Sequence, residues 1–184
     1  MIKDLSIVFP SYNEEKRLKN TFKQILKFKK KLKKRRLEVI FVDDGSCDNS
    51  QNLINNFREN QKKKGLKVQS ILFEKNIGKG FALKKGIQKC TMKWVLTSDV
   101  DLSVPLDQVL KWEDSMLIKK NKIYFGSRNL SDSKVIKKKY RYVLGAILNF
   151  LTKKILNTNI KDTQCGFKLY EKSKAKKLIS NMMV

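Results

Sequence analysis

Short, mostly apolar blocks alternate with segments of helical period along most of this chain. Leu5–Phe9, Val39–Val42, Val68–Phe73 and Trp94–Thr97 have the length of strands and no helical spacing. Between them lies Glu14 to about Lys34, with Leu18, Phe22, Ile25, Leu26 and Leu32 on one helical face. A second helix, capped by Asp48 or Ser50, carries Leu53, Ile54 and Phe57, and a third covers Gly80–Lys89. Leu106–Ile118 reads as a fourth helix, Ile123–Phe125 as a fifth strand, and Tyr140–Leu156 as a helix with a broad apolar face. Parallel neighbours need crossovers, and both faces of a sheet must be covered. The β-α-β-α-β order therefore predicts an α/β fold, a mainly parallel sheet with helices on both faces. A length of 184 residues fits one such domain. Ligands of these sheets sit at the carboxyl ends of the strands, and every segment of chemical interest here follows a strand.

Pro10-Ser11-Tyr12-Asn13-Glu14-Glu15 follows the first strand, with proline ending it. Tyr12 offers a stacking face and Glu14 a carboxylate; ordinary capping, with Asn13 as N-cap and acids in the first helical turn, accounts for the same residues. Asp43-Asp44-Gly45-Ser46 follows the second strand. Two carboxylates beside a buried strand need a ligand or backbone donors, and a plain turn is the competing reading. In Asn76-Ile77-Gly78-Lys79-Gly80 the glycines let backbone approach a ligand and the lysine would neutralise a diphosphate, although the spacing is not that of a Walker A loop. Asp99 and Asp101, after the fourth strand, project to one side of an extended segment and suit an oxygen-ligated divalent cation. Haloacid-type phosphatases carry D-x-D after the first strand instead. Arg128, after the fifth strand, suits bidentate phosphate binding, and Arg141 precedes the last amphipathic helix; surface ion pairs are the alternative for each. The polar stretch Lys161–Lys168 reads as a loop, to which spacing alone assigns nothing.

The chain has no histidine, so histidine acid/base chemistry and histidine metal ligands are excluded, and oxygen ligation points to Mg²⁺ or Mn²⁺. Its three cysteines, Cys47, Cys90 and Cys165, are too scattered for a zinc site or a disulfide framework. The formal net charge of +25, from 42 Lys plus Arg against 17 Asp plus Glu, favours phosphorylated substrates, anionic lipid or nucleic acid; compositional drift toward lysine is the plainer source. No apolar run reaches the roughly 18 residues that a bilayer span requires.

Together PSYNEE, VDDGS, NIGKG, DVD and GSR, in this order, resemble family 2 glycosyltransferases of the Rossmann-like GT-A fold over nearly the whole chain. GSR followed by DTQCGFK is similar to the dolichyl-phosphate β-glucosyltransferases and other polyprenyl-phosphate glycosyltransferases. The resemblance implies a single catalytic domain over 1–184 that is C-terminally incomplete, since relatives continue with further strand and helix segments. It implies that Pro10, Tyr12, Glu14, Asp43, Asp44, Gly78, Lys79 and Asp99 bind the donor nucleotide. Asp99 and Asp101 would hold Mg²⁺ or Mn²⁺. Arg128, Arg141, Gln164 and Lys168 would surround an acceptor phosphate, with Asp162 near the sugar or acceptor. Asp99, Asp101 and Arg128 would be the catalytic set.

The implied activity is inverting transfer of a hexose, glucose from UDP-glucose, onto a polyprenyl or dolichyl phosphate. The expected location is cytoplasmic; the apolar face of Tyr140–Leu156, flanked by Lys137–Lys139 and Lys153-Lys154, either packs on the sheet or lies peripherally on the cytoplasmic membrane face. Alternatives are a GDP-mannose-dependent mannosyltransferase and a family 2 enzyme with a hydroxyl acceptor. A nucleotidyltransferase would need a glycine-rich loop after the first strand. A nucleic-acid-binding module leaves the four aspartates without a purpose, and no nucleic-acid partner is expected.

Overall fold

The computed structural model describes residues 2–115, 123–126 and 165–182. Six strands form one sheet: β1 (Asp4–Ser11), β2 (Arg36–Asp43), β3 (Lys67–Leu72), β4 (Trp94–Thr97), β5 (Ile123–Phe125) and β6 (Lys168–Glu171). Their spatial order is β3-β2-β1-β4-β6-β5. Strands β1 to β4 are mutually parallel, and β6 runs antiparallel between β4 and β5. The helices are α1 (Glu15–Lys31), α2 (Ser50–Lys62), α3 (Lys79–Lys89), α4 (Gln108–Asp114) and α5 (Lys172–Ser180).

Two apolar layers follow from the two-residue period of the strands. Ile7, Phe9, Val39, Phe41 and Leu96 face α1, α2 and α4, meeting Leu18, Ile25, Phe28, Ile54, Phe57 and Val109. The alternate residues Val8, Ile40, Val42 and Val95 face α3 and α5, meeting Ala82, Ile87, Ala175 and Ile179. Burial on both faces is why Val39–Val42 is a continuous apolar run. Among the described residues no helix is long and apolar enough to cross a membrane.

Several boundaries differ from expectation. Pro10 does not end β1, which continues to Ser11. Val8 O accepts from Ser98 N–H on the β4 side, and Ser11 O accepts from Asp44 N–H on the β2 side. By alternation Pro10 turns toward β4, beyond the last ladder pair at Val8 and Thr97, where its missing N–H removes no ladder bond. Helix α4 starts at Gln108 rather than Leu106, and 116–122 lie outside the described residues. The polar stretch ending at Lys168 runs into β6, an added antiparallel strand followed by α5; periodicity did not reveal either.

Candidate functional site

The loops after β1 and β2 cap each other. Glu14 N–H donates to Ser50 Oγ (2.9 Å) and Glu15 N–H to Asp48 Oδ2 (3.1 Å), while Asn49 N–H donates to Glu15 Oε2 (3.3 Å). The N–H groups entering α1 and the N-cap N–H of α2 thus find partners across the loops, while Ser50 N–H donates to Asp48 Oδ1 in its own loop (2.9 Å). The capping alternative for Asn13 does not hold, because the N-cap position is Glu14. Asn13 instead adopts φ 54° and accepts from Cys47 N–H through its side chain (2.9 Å). Glu14 pairs with Arg17 at 2.7 Å, and Tyr12 is 47% exposed at the rim.

Both aspartates after β2 are engaged with the protein. Asp43 Oδ1 accepts from Ser46 N–H (2.8 Å) and the Gln51 amide (2.9 Å); Oδ2 accepts from the hydroxyls of Ser46 (2.6 Å) and Ser11 (3.3 Å). Four donors fill the acceptor capacity of a carboxylate. Asp44 reaches the next loop, accepting from Ile77 N–H (2.9 Å) and Gly78 N–H (2.8 Å), one on each oxygen. Gly45 lies between them with φ 75°, and a Cβ there would collide with the Lys75–Asn76 backbone. Only glycine allows the two loops to lie this close. The VDDGS segment is therefore a brace that sets the position of NIGKG.

That brace delivers the start of α3 to the end of β4. Lys79, its first residue, donates from Nζ to Asp99 Oδ1 at 2.5 Å. Asp101 Oδ1 accepts from the N–H (2.9 Å) and hydroxyl (2.7 Å) of Ser103. Asp99 and Asp101 line one cleft with Ser98, Ser103 and Gly166. The cleft's far wall comes from the segment entering β6. Thr97 Oγ1 donates to Gly166 O (2.8 Å), and a Cβ on Gly166 would sit 2.6 Å from Asp99 Oδ1 and 2.7 Å from its Cγ. Glycine at 166 thus admits the Asp99 carboxylate, a contact that reading the loop residue by residue does not reveal. Lys168 opens β6 opposite Thr97, on the same edge, with its Nζ 5.6 Å from the Phe125 ring centroid.

The expected residues Pro10, Tyr12, Glu14, Asp43, Asp44, Gly78, Lys79, Asp99, Asp101 and Lys168 all fall at this edge. Arg128, Arg141, Asp162, Gln164 and the Tyr140–Leu156 helix lie outside the described residues. Among the described residues no group of three or more acidic, cysteine or histidine side chains gathers to cage a metal. Two carboxylates on one cleft still fit a hard divalent cation that completes its shell with phosphate oxygens and water.

A family model described as glycosyl transferase family 2 matches residues 6–179. The human dolichyl-phosphate beta-glucosyltransferase is 35% identical over 198 residues, covering 99% of this chain and 59% of that protein. The enzyme of that name from Dictyostelium discoideum is 32% identical over 190 residues, covering 98% of this chain and 58% of that one. The chain thus spans a little over half the length of these relatives. Among solved structures, a mannosyltransferase from Pyrobaculum calidifontis in complex with GDP-Man and Mn²⁺ superimposes with TM-score 0.63 at 16% identity, covering 95% of this chain and 46% of that one. At that identity the likeness speaks for the fold, which is the GT-A arrangement expected from the motifs. With the family model matching nearly every described element, the chain belongs to glycosyl transferase family 2.

Proposed function

We propose that this chain forms the donor-binding part of an inverting glycosyltransferase that moves a hexose, glucose from UDP-glucose, onto a polyprenyl phosphate such as dolichyl phosphate. The observation that carries the proposal is the juxtaposition of Asp99 and Asp101 with Lys79 at the amino end of α3. A carboxylate pair and a cationic helix start on one strand edge match the two ends of a metal–diphosphate group. The 35% identity to a dolichyl-phosphate beta-glucosyltransferase over nearly the whole chain supports the choice of sugar and acceptor.

In this reading Tyr12 stacks on the base, beside Pro10 and Glu14. Asp43 and Asp44 act mainly by holding their loops, since their oxygens already accept protein hydrogen bonds. Lys79 and the first N–H groups of α3 receive the diphosphate. Asp99 and Asp101 hold Mg²⁺ or Mn²⁺, which when bound would stabilise the charge developing on the departing diphosphate. Arg128, Arg141, Gln164 and Lys168 offset repulsion between the acceptor phosphate and the donor. A phosphate acceptor is already an anion at neutral pH, so no general base is required of the protein, whereas a sugar hydroxyl would need one. The apolar sequence Tyr140–Leu156, flanked by lysines, is the part of the chain suited by composition to meet the cytoplasmic membrane face and the lipid acceptor.

Calorimetric titration of UDP, GDP and CDP, each with Mn²⁺, Mg²⁺ or EDTA, tests the donor site. The expected result is metal-dependent UDP binding that Asp101→Asn abolishes. A preference for GDP would redirect the proposal to mannosyl transfer. Absence of all nucleotide binding by folded protein would refute it.

A further inference from the structure

Asp99 is the one carboxylate of the pair that bears a counter-ion from the neighbouring loop. Lys79 Nζ lies 2.5 Å from its Oδ1, whereas Asp101 Oδ1 accepts from Ser103 and interacts with the Arg17 guanidinium through charge alone, without a close ion pair. The backbone before Lys79 is fixed, because Gly78, at φ 115°, gives its N–H to Asp44. The side chain beyond it is not fixed: Lys79 is 58% exposed on a flexible four-carbon stem. A divalent cation taking Asp99 Oδ1 as a ligand would meet the ammonium on that same oxygen, and the two cations repel each other. A diphosphate at the start of α3 presents the ammonium with a more highly charged partner, next to N–H groups already aligned for an anion.

Resting on the donor-site reading above, we infer that Lys79 couples the two ligands: it occupies Asp99 in the free protein and moves to the diphosphate when the donor arrives, releasing Asp99 for the cation. Metal and nucleotide then bind cooperatively, and by linkage each tightens the other by the same factor. Ser103 holds Asp101 in place throughout. The order of assembly is thus set by one lysine, and the cation is retained mainly when a donor is present.

The test is Mn²⁺ binding, followed by the electron paramagnetic resonance signal of free Mn²⁺, for wild type, Lys79→Met and Lys79→Arg, each without and with UDP. A parallel calorimetric titration measures UDP in EDTA. Lys79→Met removes a screened surface charge facing a divalent ion. It is expected to bind Mn²⁺ alone about fivefold more tightly than wild type, to lose most of the UDP enhancement, and to bind UDP more weakly in EDTA. Lys79→Arg keeps the charge and is expected to behave like wild type toward Mn²⁺ alone. Unchanged or weaker Mn²⁺ binding by Lys79→Met, with UDP still bound, would overturn the coupling and leave the donor site standing. Failure of every protein to bind UDP under any condition would overturn both.

Discussion

An alanine at position 166 tests whether Asp99 is aimed by the segment entering β6. The added Cβ would lie closest to Asp99 Oδ2 and 2.6 Å from Oδ1, where ordinary contact begins at 3.4 Å, so one of the two must retreat by about 1 Å. The backbone of residue 166 is the less able to move. Its carbonyl accepts from Thr97 Oγ1 (2.8 Å), its neighbours Cys165 and Phe167 are buried, and the Phe167 ring packs on Trp112 at 5.5 Å. The Asp99 carboxylate is 38% exposed and is paired with a lysine that is itself exposed and able to follow it. It yields, at a conformational cost of about 1 kcal/mol. Folding stability therefore changes little, whereas metal–oxygen distances tolerate only about 0.2 Å. Residues that aim a ligand typically contribute about 10- to 100-fold in metal affinity, and a loss of that size is expected in Mn²⁺-dependent UDP binding. Calorimetry gives the affinity, and urea unfolding of the metal-free protein gives the stability. Wild-type affinity in Gly166→Ala would refute the reasoning. So would a stability loss above about 2 kcal/mol, because the loop and not the carboxylate would then have given way.

Two further substitutions test the brace and the core. Asp44→Asn keeps one acceptor for the N–H groups of Ile77 and Gly78 but sets an amide N–H₂ against the other. A stability loss of about 1–3 kcal/mol is expected in urea unfolding, with weaker UDP binding in EDTA as the NIGKG loop loosens; unchanged values for both would show that the brace is dispensable. Glu38, fully buried in β2, accepts from Ser6, Lys67, Gln69 and Thr91. Burial pushes its pKa up, but the hydrogen bonds from Lys67, Ser6 and Thr91 together outweigh burial and hold the carboxyl below its ordinary value. A depressed carboxyl contributes stability above its unfolded value of about 4.3, which is lost as pH falls through its folded value. Glu38→Gln is expected to cost about 2 kcal/mol at pH 7, allowing for the half-exposed Lys67. The gap to wild type should narrow on acidification below about pH 4.3; a gap that stays constant from neutral to acid pH would refute the assignment.

The order of elements was legible because the central strands are buried on both faces and so read as unbroken apolar runs. Trp94–Thr97 and Ile123–Phe125 match β4 and β5 residue for residue. Strand β6 was not legible: at four residues, with lysine and glutamate at its ends, it exists because β4 and β5 each leave an edge for Leu169 and Tyr170 to pair against. Partner strands distant in sequence create it, and no local period records them. Glu38 was missed for a related reason. A single acid beside an apolar run looks like a strand boundary until Ser6, Gln69 and Thr91 arrive from three other segments.

The acidic motifs divide along the same line. Two acids in VDDGS and two in DVD look alike as residues at strand ends, yet their surroundings differ. Asp43 and Asp44 meet backbone and side-chain donors from loops that the fold brings against them, and six such donors neutralise their demand for a ligand. Asp99 and Asp101 meet a lysine, a serine and a glycine wall, which leaves carboxylate oxygens on a cleft. Sequence reasoning recognises a carboxylate after a strand but cannot tell a brace from a ligand, because the difference lies in which donors arrive from elsewhere. The mutual support of the two pairs also follows: Asp44 fixes Gly78, Gly78 fixes the start of α3, and the start of α3 carries Lys79 to Asp99. Asp44 therefore acts on Asp99 through two contacts joined by the Gly78–Lys79 backbone.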